Sequence, residues 1–340
     1  MRYKLFGKSG LRVSELCLGT MTFGTEWGTG ADKAESQAMF EYFVAKGGNF
    51  IDTANRYTEG TSEKWLGEFM GAQRDRFVLA TKYTLYDDRS DINASGNHRK
   101  NLFRSVEQSL RRLQSDYIDL LWVHMWDNTT PLEEMMRALD DLVRMGKVHY
   151  IGISDTPAWI VAKANTMAEL RGWTPFTGLQ IEYSLIQRSA ERDLLPMAQH
   201  FQMCTTPWSP LGAGMLTGKY NEGIAEGGRL SEKSVKVNER NRQIARKVSE
   251  IAAGLQVTPA QVALNWLRQQ GEQVIPIIGA RKLSQLQDSM DCHLFELPAD
   301  ALQALHEVSE IELGFPHDFL KLPTVQDVVF GDFKDKLIRP

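Results

Sequence analysis

The sequence predicts a closed (β/α)8 barrel, and three observations carry that prediction. Short apolar, β-branched runs alternate with amphipathic helical patterns from end to end, and the runs number eight. Strands alternating with helices pair in parallel through right-handed crossovers. No Gly/Ser-rich linker divides the 340 residues, a length that is long for an ordinary domain but normal for one barrel. A doubly wound open sheet is the competing architecture. Eight units without a break favour a single barrel domain over 1–340.

In order, the expected strands are 15–19 (ELCLG), 49–52 (NFID), 77–82 (FVLATK), 117–124 (YIDLLWVH), 148–154 (VHYIGIS), 178–182 (GLQIE), 203–208 (MCTTPW) and 274–278 (VIPII). Between them, Leu102, Val106, Leu110 and Leu113 recur at helical steps within 99–113. Thr258-Pro259 before AQVALNWLRQQ reads as an N-cap followed by proline in the first turn. Residues 1–14, with Lys8-Ser9-Gly10 at the turn, predict a hairpin across the barrel's bottom. The tail, 313–340, is rich in aromatic residues and proline and shows little helical period. A long glycine- and charge-rich segment, 212–237, follows the seventh strand, and loops of that length in a compact fold are usually functional or mobile.

Composition narrows the partners. With 43 acidic and 39 basic residues the net charge is −4, which leaves no electrostatic footprint for nucleic acid or an anionic membrane. A small molecule is the expected partner. The three cysteines, Cys17, Cys204 and Cys292, have neither CxxC nor zinc spacing, so neither disulfides nor a metal site is expected. The start, MRYKLFGKSGLRV, has no apolar signal core, and no run approaches the ~20 apolar residues of a membrane span. A cytoplasmic protein, monomeric or weakly oligomeric, is the expectation.

In such barrels chemistry gathers at the C-terminal ends of the strands. Those ends supply Asp52 after the second strand, Lys82 after the third and His124 after the fourth, with Tyr57 on the loop just beyond Asp52. Each has an ordinary structural reading taken alone: a cap, a solvated lysine, a core histidine. Together they form an acid–base set. A free tyrosine titrates near ~10, and a neighbouring ammonium favours its phenolate and lowers that value. Asp52 is placed to pair with Lys82, and His124 to hydrogen-bond and polarise a carbonyl. The set suits protonation of a carbonyl oxygen while a hydride reaches the carbon.

The ordered motifs GTMTFG (19–24), FIDTANRY (50–57), ATK (80–82), DLLWVH (119–124), GIS (152–154), LQIEYS (179–184), WSPLGAGMLTGKY (208–220) and IIGARKLSQLQDS (277–289) resemble those of the aldo-keto reductase superfamily over nearly the whole chain. The resemblance implies a (β/α)8 barrel enzyme and reversible hydride transfer between a nicotinamide cofactor and an aldehyde or ketone. It makes Tyr57 the proton donor, Lys82 and Asp52 its tuning pair, and His124 the carbonyl-orienting group.

No strand–GxGxxG–helix fingerprint is present, so the cofactor is expected across the barrel mouth rather than on a Rossmann unit. Ser154 and Gln180 offer polar groups for the nicotinamide carboxamide, and Trp208 a flat face for the ring. Glycines 212 and 214 let backbone amides approach a pyrophosphate. By resemblance, Lys219 and Arg229 contact phosphate, and Thr20, Met21, Asp52, Ser209, Pro210, Leu211 and Gly279 belong to the cofactor shell. In similar reductases this segment binds the adenosine 2′-phosphate and adenine, which by that resemblance assigns Arg281, assisted by Lys282 and the following helix start, to the phosphate and Gln285 and Asp288 to the adenine side. The preferred cofactor is therefore NADPH/NADP+ over NADH.

Three positions depart from the family pattern. Asp155 stands where asparagine is common, Ser289 replaces a frequent asparagine, and Trp27 occupies a place where some relatives carry glutamine. Trp27, Tyr83, Met125 and Trp126 are expected to line an apolar substrate pocket, with Phe315 or Phe319 either completing it or packing the loops. Aromatic or medium-sized carbonyl compounds suit such a pocket. Two alternatives are an alcohol dehydrogenase of the same fold working in catabolism, and a cofactor-binding regulatory subunit resembling potassium-channel β subunits. No added N-terminal inactivation segment favours the latter.

Overall fold

The computed structural model describes residues 1–221, 223, 230, 231 and 233–338. An N-terminal hairpin pairs β1 (Tyr3–Leu5) with β2 (Arg12–Ser14). Eight parallel strands follow: β3 (Cys17–Gly19), β4 (Phe50–Asp52), β5 (Val78–Tyr83), β6 (Ile118–Val123), β7 (Val148–Ser154), β8 (Phe176–Glu182), β9 (Cys204–Trp208) and β10 (Ile277–Ile278). Neighbours pair in chain order, and β10 returns to β3 through Ile277↔Cys17 and Ile278↔Leu18. On the other side the segment before β10 bridges β9, where Ile275 N donates to Thr205 O at 2.9 Å. The ring is thereby closed, and all eight expected strands are in place.

Helices lie between the strands and cover the barrel's outside. The helix expected over 99–113 is Arg99–Leu113. Thr258 caps the helix Pro259–Arg268 and forms a reciprocal box with Gln261. One layer of apolar side chains fills the gap between barrel and helices, among them Leu102, Val106, Leu121, Ile153 and Trp266. A second group fills the barrel itself, including Phe6, Phe50 and Trp122.

The hairpin does close the bottom. Its Phe6 is fully buried, edge-on to Phe50 at 5.7 Å and to Trp122 at 6.2 Å between ring centroids. The size of Trp122 is accommodated by two glycines. A Cβ on Gly152 would lie 2.3 Å from its ring, and one on Gly178 would lie 2.5 Å from Phe6 and 2.8 Å from Trp122. Packing at native density leaves no room for that displacement.

The tail differs from the sequence expectation. Instead of an irregular segment it forms short helices, His317–Lys321 and Pro323–Phe330, and a 3-10 turn, Gly331–Lys336. Pro316 and Pro323 start the two helices, which are too short to print a period in the sequence. None of its described residues is buried.

Candidate active site

The four acid–base residues meet at the C-terminal mouth of the barrel, where the strand ends place them. Asp52 ends β4 and Lys82 lies in β5, at 3% and 1% exposure, and a salt bridge joins them. Two ions so buried are tolerable only when hydrogen bonds satisfy what remains of each. Lys82 Nζ also donates to Thr53 O at 2.8 Å and to the Tyr57 hydroxyl at 3.1 Å. The other oxygen of Asp52, Oδ1, accepts from Gln180 Nε2 at 2.9 Å. The lysine is thus held on three sides, one of which is the phenol.

A strained turn holds Tyr57 in place. Thr58 and Glu59 both adopt left-handed backbone, at φ 47° and 56°. For β-branched Thr58 this costs roughly 1–2 kcal/mol. Its hydroxyl donates to Phe23 O at 2.6 Å and pins the turn to the loop after β3. Glu59 in turn accepts from Trp27 Nε1 at 3.0 Å, and the Trp27 ring stands edge-on to Tyr57 at 6.4 Å. The His124 ring is also edge-on to Tyr57, at 6.1 Å.

The charges behave as burial dictates, with one correction to the sequence reading. Burial opposes the ammonium of Lys82, but Asp52 and Tyr57 outweigh it and hold Lys82 above its ordinary pKa. Burial raises the Tyr57 pKa, Lys82 pulls it back down, and the net direction is upward, not downward. The phenol is therefore protonated at neutral pH, the state a proton donor needs. His124 is driven down to about 3 by burial and by the Lys82 charge, so its imidazole is neutral. Its Nδ1 is buried without a hydrogen-bond partner among the described residues.

Four positions were not singled out in the sequence for these roles. The Thr53 carbonyl and the Thr58 hydroxyl became visible only with the fold. Asn97 ties the loops after β5 and β6 together, donating to Thr84 Oγ1 at 2.9 Å and Met125 O at 3.1 Å and accepting from Asp127 N at 2.8 Å. Glu63, fully buried, receives Thr81 at 2.6 Å and Arg112 at 2.6 Å.

Of the expected pocket residues, Trp27 and Met125 are exposed on mouth loops, at 41% and 37%. Trp126 is partly buried against the core layer between barrel and helices. Tyr83 is a correction: it is 1% exposed and belongs to that same outer layer, its hydroxyl reaching Asn97 O at 3.4 Å. Successive strand residues face opposite ways, so with Lys82 inward Tyr83 must point outward. Phe315 and Phe319 are exposed and pack on each other at 6.0 Å.

The residues expected to hold a nicotinamide cofactor gather in part. Ser154 and Gln180 pair in register at the ends of β7 and β8, and Glu182 pairs with Trp208 across β8 and β9. Among the described residues neither Ser154 Oγ nor Gln180 Oε1 has a protein partner. A donor and an acceptor beside an indole face fit a ring bearing a carboxamide.

Other expected contacts have partners within the fold. Thr20 is buried, its Oγ1 donating to Asp52 O at 2.9 Å, while Met21 is exposed. Ser209, Pro210 and Leu211 lead into the turn Gly212–Thr217, with Gly212, Ala213 and Gly214 all left-handed. The amides of those three residues donate to Ser209 O, Ser209 Oγ and Leu211 O at 2.8, 3.2 and 2.9 Å, so they close their own turn instead of facing an open cradle. Lys219 lies over the Tyr220 ring at 5.2 Å. Arg229 lies outside the described residues.

At the other end of the expected cofactor path, Gly279 precedes the helix Leu283–Met290. Gln285 Oε1 accepts from Arg281 N at 3.0 Å. Asp288 accepts from Thr258 Oγ1 at 3.2 Å and Gln261 Nε2 at 3.0 Å, which locks two helices together. Among the described residues no cluster of His, Cys, Asp or Glu could hold a metal ion.

Comparison with known proteins agrees with this geometry. A sequence model of the Aldo/keto reductase family matches residues 15–310. A norsolorinic acid reductase of Aspergillus flavus is 40% identical over 93% of this chain and 83% of its own length. An aldo-keto reductase of Aspergillus calidoustus is 39% identical over 94% and 85%. An aryl-alcohol dehydrogenase of Pestalotiopsis microspora is 37% identical over 94% and 85%.

Proposed function

Because the chain belongs to the aldo/keto reductase family, and so to the oxidoreductases, we propose that it interconverts an aromatic aldehyde or ketone and its alcohol with NADPH/NADP+. The observation that carries this reading is the buried chain Asp52–Lys82–Tyr57, which ends on a protonated phenol at the barrel mouth. The relatives' names, a norsolorinic acid reductase and an aryl-alcohol dehydrogenase, support an aromatic substrate. Apolar Trp27 and Met125 beside the tetrad agree with it.

When bound, the cofactor supplies a hydride to the carbonyl carbon or accepts one from the alcohol. Ser154 and Gln180 would hold its carboxamide and Trp208 its ring. Tyr57 gives its proton to the carbonyl oxygen in reduction and takes one back in oxidation. Lys82, fixed by Asp52, stabilises the phenolate left behind. Neutral His124 orients the carbonyl oxygen by hydrogen bond and leaves the proton transfer to Tyr57. Arg281, beside the start of its helix, is the group expected to favour the 2′-phosphate, hence NADPH over NADH.

The test is direct. Purified protein is given NADPH with a panel of aryl aldehydes, and NADP+ with the corresponding alcohols, beside Tyr57→Phe. The reading requires turnover in the wild type and its loss in the variant while cofactor still binds. Equal turnover by the two proteins would remove Tyr57 from the mechanism. A kcat/KM tenfold better with NADH would remove the role of Arg281.

A further inference from the structure

Asp155 is the first residue after β7 and stands at the rim of the mouth, in left-handed backbone at φ 42°. Its Oδ1 accepts from Trp208 Nε1 at 3.1 Å, so the carboxylate is fixed to the indole's edge. Its backbone is tied as well, N donating to Gln180 O at 3.4 Å and O accepting from Trp126 N at 3.5 Å.

Two other carboxylates near the mouth have a basic partner. Asp52 is neutralised by Lys82, and Glu182 by Lys236. Among the described residues no lysine or arginine forms a salt bridge with Asp155. A carboxylate without a salt-bridge partner among the described residues therefore stands beside Trp208. Burial by surrounding protein raises the Asp155 carboxyl above the usual range and Glu182 adds to this, while the bond from Trp208 and the Lys82 charge pull it back. A cap alone needs no such charge, because asparagine offers the same acceptor and tolerates the same backbone.

We propose that Asp155, anchored on Trp208, makes the site discriminate between the oxidation states of the nicotinamide, favouring the oxidised form. The reduced ring is neutral and the oxidised ring carries a positive charge, so a fixed carboxylate attracts only the latter. The inference rests on the nicotinamide reading of Ser154, Gln180 and Trp208. It makes Asp155 a specificity-determining residue, acting on the ratio of two affinities instead of on binding as such.

Calorimetric titration of the full-length protein and of Asp155→Asn with NADP+ and with NADPH tests it. Asparagine keeps the acceptor for Trp208 Nε1 and removes only the charge. The expected result is a loss of relative preference for NADP+, the ratio of the two Kd values shifting by about fivefold or more at low salt. Because Asp155 is open to solvent, that shift should shrink in high salt. In Trp208→Phe, which keeps a flat ring but removes the N–H anchor, a smaller shift in the same direction is expected. Binding of both forms with an unchanged ratio, or with both Kd values altered by the same factor, would overturn the inference and leave the cofactor reading standing. Binding of neither form to the wild type would overturn both.

Discussion

Two buried ion pairs sit at opposite ends of this barrel, and they differ in where their hydrogen bonds lead. At the bottom, Glu15 and Arg268 are 1% and 3% exposed and 2.7 Å apart. Glu15 also accepts from Arg2 N at 2.8 Å, and Arg268 donates to Asn265 Oδ1 at 2.8 Å and to Cys292 O at 2.9 Å. These bonds lead only to backbone, an amide or another guanidinium, and the pair is a closed structural lock. At the mouth, Asp52 and Lys82 are as deeply buried, but Lys82 gives one bond to Tyr57, a hydroxyl that can release its proton. Burial and charge pairing do not by themselves mark a functional site. The destination of the last hydrogen bond does.

The sharpest way to break the comparison is Tyr57→Phe. It deletes the one titrating end of the mouth network and leaves the Asp52–Lys82 pair intact. General acid–base catalysis typically contributes about 10²–10⁴-fold, so kcat should fall by that order while the thermal midpoint changes little. Steady-state kinetics beside a melting curve checks both halves. A large loss of stability with modest loss of activity would make the mouth pair a lock like the bottom one.

The reverse outcome is expected at the bottom. Arg268→Ala takes away the buried partner of Glu15 and leaves that carboxylate only its bonds from Arg2, a change worth about 3 kcal/mol in unfolding free energy. Urea denaturation should show that loss, and the folded fraction should keep kcat within about twofold because no bond of the pair reaches the mouth. The same pair sets an acid limit. Burial works against the Glu15 charge, but bonds from Arg268 and Arg2 hold its pKa at about 2, against 4.5 for the unfolded chain. A carboxyl depressed in the folded state stabilises fully above pH 4.5 and loses that contribution as pH falls towards 2. At about 1.4 kcal/mol per pKa unit the contribution is at most about 3 kcal/mol. Unfolding of wild type and Glu15→Gln measured from pH 6 to pH 2 should therefore converge as the pH drops.

The two ends were unequally legible in the sequence. The mouth was readable because an aspartate, a lysine and a histidine on successive apolar strand ends are conspicuous, and strand direction alone sends them to one place. Tyr83 was misplaced for want of the alternation that Lys82 already imposed. The left-handed Thr58 turn, the Asn97 tie between loops and the helix contacts of Asp288 depend on segments brought together from afar, which no local pattern records. Glu15 and Arg268 are 253 positions apart, and nothing in either neighbourhood names the other. The sequence reading of Tyr57 weighed only the lysine's pull. The burial that outweighs it is a property of the closed mouth.

The smallest expected effect sharpens the comparison most, because it tests a matched bond at each end. Gln180 steadies Asp52 as Asn265 steadies Arg268, each through one side-chain hydrogen bond, at 2.9 and 2.8 Å. Gln180→Leu should leave Asp52 free to turn away, weaken its hold on Lys82 and lessen the lysine's pull on the phenol. The basic limb of the kcat/KM profile should then move up by a fraction of a pH unit, with about a tenfold loss of rate. A tenfold change is about 1.4 kcal/mol, the size of one hydrogen bond to a charged group. Asn265→Leu removes a bond of the same kind, and it should lower stability by a similar amount without moving the pH profile. Loss of cofactor affinity alone in Gln180→Leu, with the profile unmoved, would mean that Gln180 serves the cofactor and that Asp52 needs no help in aiming Lys82.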